Sequence, residues 1–398
     1  MLRRLPTSRL LLVLGAAVAI LAGGTALAMA ALGGSGPTPP AKPLDAAVHD
    51  ALSAPAVQGV TARITFTNRL IDKSSLPGGA NPLLSGATGR LWAAADGRVR
   101  LELQSDNGDA QIVSDGDTVT IYDGTLRQAY RITLPAGAGP GHAAPHAVPA
   151  LQKIDELLAR VAQTADLSGA KPSDIAGRAA YTVRVSPKHD GGLVGAAELA
   201  FDAANGTPLR VAVYASGDPS PVLELEATDI SYGRVPTADL SAPVPAGTKV
   251  TTVDLGGHAP AGAAGGRGGA STTATTPQAV AKALAFPLSA PDTLVGLPRR
   301  DVRVVASGQA KGALVTYGQG LGGIAVLEQA APAADAAAGG GGGAPGGLSL
   351  PKVSIDGASG EELATALGTV VRFERGGVQY TVIGSVPPSA AEAAARAL

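Results

Sequence analysis

The chain has 398 residues, a net charge of −1 and no cysteine. Near-neutral charge without a clustered Lys/Arg run argues against nucleic acid as a partner. The missing cysteine rules out disulfides, thiolate metal sites, a cysteine nucleophile and a lipidated N-terminal cysteine. With 54 glycines, 30 prolines and 3% aromatics, large apolar side chains are scarce, so each one placed in a core counts for more.

Arg3, Arg4 and Arg9 precede an almost uninterrupted apolar run from Leu10 to Leu32. Basic residues stay on the cytoplasmic side, which puts the rest of the chain outside. The run, about 22 residues, is long enough to cross a bilayer and longer than the usual signal-peptide core. Small-residue sites at Ala26-Leu27-Ala28 and Ala28-Met29-Ala30 leave two readings open. Residues 1–32 are a signal peptide that is removed, giving a secreted protein, or an N-terminal membrane anchor.

Residues 33–44 read as a Gly/Pro linker, followed by a short helix over 44–52 and a strand over 60–68 with Ala62, Ile64 and Phe66 on one face. From Gly89 to Ile132 Val99, Leu101 and Leu103 alternate with Arg98, Arg100 and Glu102. That two-residue period describes strands with one dry and one wet face. Asp96-Gly97, Asp115-Gly116 and Asp123-Gly124 supply the turns. The result is an antiparallel meander whose apolar face must be covered by helices of the chain or by a ligand. Ala150–Thr164 repeats Leu151, Ile154, Leu157, Leu158 and Val161 at helical spacing, which makes it a candidate plug for that face. Strands are predicted at 181–186, 194–202, 208–215 and 222–232. In these, Leu199 and Phe201 share one face, as do Leu209, Val211 and Val213, with Arg184, Arg210, Glu224 and Glu226 opposite.

Residues 255–276 are a low-complexity Gly/Ala/Thr linker. A smaller α+β unit is expected over 277–398, interrupted by a disordered Ala/Gly insert at 330–348. Its predicted elements are a helix at 277–286, strands at 302–306, 313–317 and 324–329, a helix at 360–367, a strand pair at 370–374 and 379–383, and a terminal Ala-rich helix.

No constellation reads as catalytic, and no cofactor is expected. His142 and His146 have helical metal-ligand spacing but sit among Gly141, Pro145 and Pro149. Gly318, Gly320 and Gly323 match Gly-x-Gly-x-x-Gly, yet a strand-like Ile324-Ala325-Val326-Leu327 follows, so a glycine-rich hairpin is the reading. The meander's aspartates are turn residues. Arg100 either faces water or reaches a backbone carbonyl or a head group at the sheet rim.

Arg98-Val99-Arg100-Leu101-Glu102, the hairpin Ile112–Asp123, and the pair Gly177–Tyr181 with Phe201-Asp202 and Thr207-Pro208-Leu209-Arg210 together resemble the LolA-like superfamily. This comprises the lipoprotein carriers LolA and LolB and the N-terminal domain of RseB/MucB. The resemblance covers about residues 45–254, and the C-terminal unit is similar to the small domain of exported relatives. It implies an α+β fold, a curved antiparallel half-barrel with plugging helices, whose cavity takes a lipid, an acyl chain or a lipoprotein. It would place Ile64, Phe66, Trp92, Val99, Leu101, Leu103, Val113 and Ile121 against the ligand in the first half. Leu199, Phe201, Val211 and Val213 would join them from the second. It would make Arg100 a latch on the plug or a head-group contact. The carrier's proline before that strand is replaced by Asp96-Gly97, and LolB's lipidated cysteine is missing. Two alternatives remain: a regulator that binds an anti-sigma factor outside the membrane, and a structural envelope protein with a filled core.

Overall fold

The computed structural model describes residues 38–71, 81–134, 150–189, 192–254, 276–307, 310–331 and 350–398. The apolar run at 10–32, His142 and His146, and most of the expected linker and insert lie outside these residues.

The first region contains helix α1 (Leu44–Ser53), strand β1 (Gly59–Asn68), the single turn α2 (Pro82–Ser85) and the meander β2 (Ala87–Ala94), β3 (Val99–Ser105), β4 (Gly108–Asp115), β5 (Thr118–Asp123) and β6 (Gln128–Thr133). Next come α3 (Leu151–Val161), β7 (Ala165–Leu167), β8 (Lys171–Ile175), β9 (Arg178–Pro187), β10 (Val194–Asp202), β11 (Pro208–Ala215), β12 (Pro221–Tyr232), the short helix α4 (Thr237–Leu240) and β13 (Lys249–Asp254). These strands form one sheet in the order β13-β6-β5-β4-β3-β2-β1-β12-β11-β10-β9-β7, with β8 on β9. All pairs are antiparallel except β13 on β6, which is parallel because the chain crosses the sheet before pairing. This is the antiparallel meander that the alternation predicts, extended into the curved α+β half-barrel with few helices that the resemblance implies.

The registers show how the alternation builds the core. Ile230, Ala62, Leu91, Leu101, Ile112, Ile121 and Tyr130 lie side by side across seven strands. Farther along the sheet, Val183, Leu199, Val211, Leu225 and Phe66 form a second row on the same face. Val99, Leu101 and Leu103 are each 1% exposed. Burying a side chain of this kind contributes about 1.5–3 kcal/mol.

The cover of that face differs from expectation. α3 forms, but it packs on α1 and does not plug the meander. α2 packs against β1, β3 and β4 and buries Leu83 in the large cluster. α1 covers the other end of the face, with Ala47 against Tyr181 and Phe201. Asn81 starts α2 by accepting the Leu83 N–H at 2.6 Å.

The second region holds α5 (Pro277–Lys282), β14 (Thr293–Leu294), β15 (Leu297–Ser307), β16 (Ala310–Tyr317), β17 (Ile324–Ala330), β18 (Lys352–Ile355), β19 (Ala358–Thr365), β20 (Gly368–Arg375), β21 (Val378–Gly384) and α6 (Pro388–Arg396). Its sheet runs β14-β15-β16-β17-β21-β20-β19-β18. The glycine-rich stretch at 318–323 is a hairpin between β16 and β17, with Gly318 and Gly320 at φ +73° and +61°. The helix expected at 360–367 is instead strand β19. Glu361, Glu362, Leu363 and Ala364 favour helix locally, but Asp356-Gly357 turns the chain back, and pairing with β18 and β20 captures the segment. The β19–β20 turn then meets the first sheet. Ala366 N–H donates to the Leu70 carbonyl at 2.8 Å, and Leu363, Ala366 and Leu367 pack on Leu70, Ile71 and Val222.

Candidate apolar site and its latch

Where β1, β2 and β12 meet the β10–β11 turn, the inner face is not completely filled. Val60, Ala62, Ile64, Leu91 and Ala93 line a crevice with Leu225, Ala227 and Ile230, and Thr207, Pro208 and Leu209 close its far side. It measures about 360 Å³ counted together with the solvent at its mouth. Its enclosed part has room for about one water molecule. Ala62, Ala93 and Ala227 leave this space because a methyl stands where neighbouring positions carry Leu or Ile.

One wall is polar. Thr207 is buried and its Oγ1 has no hydrogen-bond partner; the same holds for Nδ2 of the adjacent Asn205. Asn205 Oδ1 accepts the Thr207 N–H at 2.9 Å. Nearby, the Tyr232 hydroxyl donates to Asp202 at 2.6 Å, and the Arg178 guanidinium lies 4.6 Å from the Tyr232 ring centroid. Burial, reinforced by the Asp202 carboxylate, pushes the Tyr232 hydroxyl far above the usual phenol range. This hydroxyl therefore stays protonated as a donor.

The predicted residues divide by face. Ile64, Phe66, Val99, Leu101, Leu103, Ile121, Leu199, Phe201, Val211 and Val213 share the inner face, though only Ile64 among them lines the crevice. Trp92 and Val113 do not belong with them. Both lie directly across from Arg100, on the outer face, because their strands alternate out of phase with that placement. Thr207, Ala62, Ala93 and Ala227 were missed. The signal available for the last three was a small residue at an inner-face position on each of three adjacent strands.

Arg100 is held at the outer face, with several partners. Its Nη1 donates to the Asp239 and Ser241 carbonyls at 3.1 and 3.3 Å, Nη2 pairs with Glu102, and the guanidinium lies 5.1 Å from the Trp92 ring centroid. The carbonyls belong to the C-terminal end of α4, where a cation is electrostatically favoured. Arg100 thus reaches backbone carbonyls and does not simply face water. What it fastens is the α4 crossing to β13, and not the helix α3.

A larger charged network covers the outer face of β9–β12. Glu198 accepts from Arg184 at 2.9 Å, Arg210 at 2.7 Å and the Tyr214 hydroxyl at 2.8 Å, while Arg210 also donates to Glu224 at 2.6 Å. Burial opposes charge on Glu198, yet the bonds from Arg210, Arg184 and Tyr214 prevail and lower its pKa. Each carboxylate of this network lies against at least one arginine, and Arg210 is shared by Glu198, Glu224 and Glu226. Among the described residues no group of three or more His, Cys, Asp or Glu side chains is placed to hold a metal ion. None of the described helices is long and apolar enough to cross a membrane.

No protein-family model matches the chain, and no curated protein matches it. Among solved structures it is similar to MucB in complex with MucA(peri), at 19% identity over 85% of this chain and 91% of that one, TM-score 0.39. It is similar to the MucA/MucB complex of Pseudomonas aeruginosa, at 20% identity over 88% and 94%, TM-score 0.39. It is also similar to a LolA superfamily protein from Nitrosomonas europaea, at 10% identity over 51% and 99%, TM-score 0.21.

Proposed function

We propose that this is an exported, membrane-associated protein of the cell envelope that binds a lipid or a lipidated partner on the inner face of its half-barrel. The observation that carries the reading is the unfilled seam at Ala62, Ala93 and Ala227, apolar on three sides and polar at Thr207. In this closed form the seam is too small for an acyl chain, so binding requires the β10–β11 turn and Leu209 to move off β1. Each methylene buried contributes about 0.8 kcal/mol. Roughly ten of them supply about 8 kcal/mol before the ordering costs of opening and binding. Binding of this kind needs no catalytic group.

Native mass spectrometry of the full chain extracted from its own membranes tests this. The expected result is an acyl-bearing adduct that disappears in Ala227→Phe while circular dichroism stays unchanged. A bare protein mass for the unaltered chain overturns the proposal, as does an adduct untouched by Ala227→Phe.

A second reading is that of a regulator binding an anti-sigma factor outside the membrane. It draws on the sequence resemblance to RseB/MucB and on the docking of the β19–β20 turn against Leu70 and Val222. A pull-down from solubilised membranes distinguishes the two, since recovery of an anti-sigma factor without lipoprotein favours the regulator.

A further inference from the structure

Helix α3 has an apolar stripe that the fold covers only along its middle. At 100° per residue Leu151, Ile154, Leu157, Leu158 and Val161 fall within an arc of about 120°. Ile154 is 3% exposed, whereas Leu151, Leu157 and Val161 are 41, 44 and 42% exposed. Leu52, on the supporting helix α1, is 51% exposed. These four are half of the eight exposed large apolar side chains among the described residues. A two-helix element that shows this much apolar surface marks a place where something else completes the burial.

The chain's own path indicates what that is. α1 begins at Leu44, and residues 33–43 join it to the apolar run at 10–32. Fully extended, that joint spans about 40 Å. With the run held in a bilayer, α1 and α3 are kept close to the lipid surface at high effective concentration. Lys153 and Arg160 on α3 are balanced by Asp155 and Glu156, so the attraction is apolar and needs no anionic lipid.

We propose that the α1–α3 pair lies on the outer surface of the bilayer, with Leu52, Leu151, Leu157 and Val161 entering the boundary between head groups and acyl chains. This rests on the membrane-tethered reading above, and the test separates the two.

The chain has no native cysteine, so Leu157→Cys and, for reference, Leu321→Cys in the β16–β17 turn can each carry a single nitroxide. The full chain is reconstituted in phosphatidylcholine vesicles, and nitroxide relaxation by oxygen is compared with relaxation by a water-soluble nickel chelate. The expected oxygen-to-nickel ratio is several-fold higher at Leu157 than at Leu321, and unchanged by adding salt. If Leu157 is as open to nickel as Leu321 while the chain resists an alkaline carbonate wash, the apposition is overturned and the tether stands. If the wash releases the chain, the tether fails and this proposal with it. Shielding from both reagents would mean that protein covers α3, which also overturns it.

Discussion

Glu198, on the outer face of the half-barrel, and Glu328, inside the second sheet, are both carboxylates largely withdrawn from water, and the fold treats them in opposite ways. Glu198 accepts from two arginines and a tyrosine, and its pKa is lowered. Glu328 is 0% exposed because β17 alternates Ile324, Val326 and Glu328 inward. Its Oε2 accepts the Ser289 N–H at 2.9 Å, and its Oε1 has no partner. Burial therefore raises its pKa to about 7. The Tyr317 hydroxyl, also buried and without a partner, is pushed up to about 12. The contrast teaches that exposure alone does not set the charge state in these sheets; the number of opposite charges and donors within reach does.

Breaking the first region should have the largest effect. Arg210→Leu leaves Glu198, Glu224 and Glu226 facing one another with their shared cation gone. We expect a loss of about 3–5 kcal/mol, measured by urea unfolding. A loss under about 1 kcal/mol would show that solvent, and not Arg210, screens these carboxylates. The second region should respond to pH. The folded pKa of Glu328 lies above its unfolded value, so its contribution is fully present below about pH 4.5 and is lost as pH rises through about 7. Above pH 8 the cost is at most about 3 kcal/mol. Glu328→Gln should therefore stabilise the protein at pH 8 and flatten its melting temperature between pH 5 and 8. An unaltered pH profile in the variant would remove Glu328 from the account.

A smaller effect is expected at the latch. Arg100→Leu removes two bonds to the α4 carbonyls and leaves Glu102 without its cation, for about 1–2 kcal/mol. Hydrogen exchange should quicken at residues 237–241 and not in α3. Faster exchange in α3 instead would restore the plug-helix latch that the resemblance implied. The smallest change belongs to Leu157→Ser. At a side chain 44% exposed, stability should shift by no more than about 0.5 kcal/mol. A larger loss in the isolated, detergent-solubilised chain would mean that α3 already buries its stripe within the molecule.

Much of this fold was legible along the chain. Alternation at Val99-Arg100-Leu101-Glu102-Leu103 and the Asp-Gly pairs placed the meander, because period two and tight turns are local properties. The resemblance set Trp92 and Val113 among the inner-face residues, but both pair with Arg100 on the outer face, since the phase of each strand relative to its neighbour is set by register. Local alternation also missed β7, β8, β13 and β18, which are short or lie at sheet edges. The segment 360–367 went wrong because its helix propensity, worth tenths of a kcal/mol per residue, is outweighed by pairing on both sides.

The sequence by itself determined that there are two β-rich regions, which side chains alternate toward a core, and where the charged face of β9–β12 lies. These follow from spacing within one segment. Only the tertiary structure decided that α1 and α2 cover the inner face while α3 rides on α1. It also decided that Arg100 grips α4, and that three alanines from separate strands meet Thr207 at one seam. Each of those depends on how distant strands come into register and curl, a choice made by the summed burial of the whole sheet and not by any single stretch of chain.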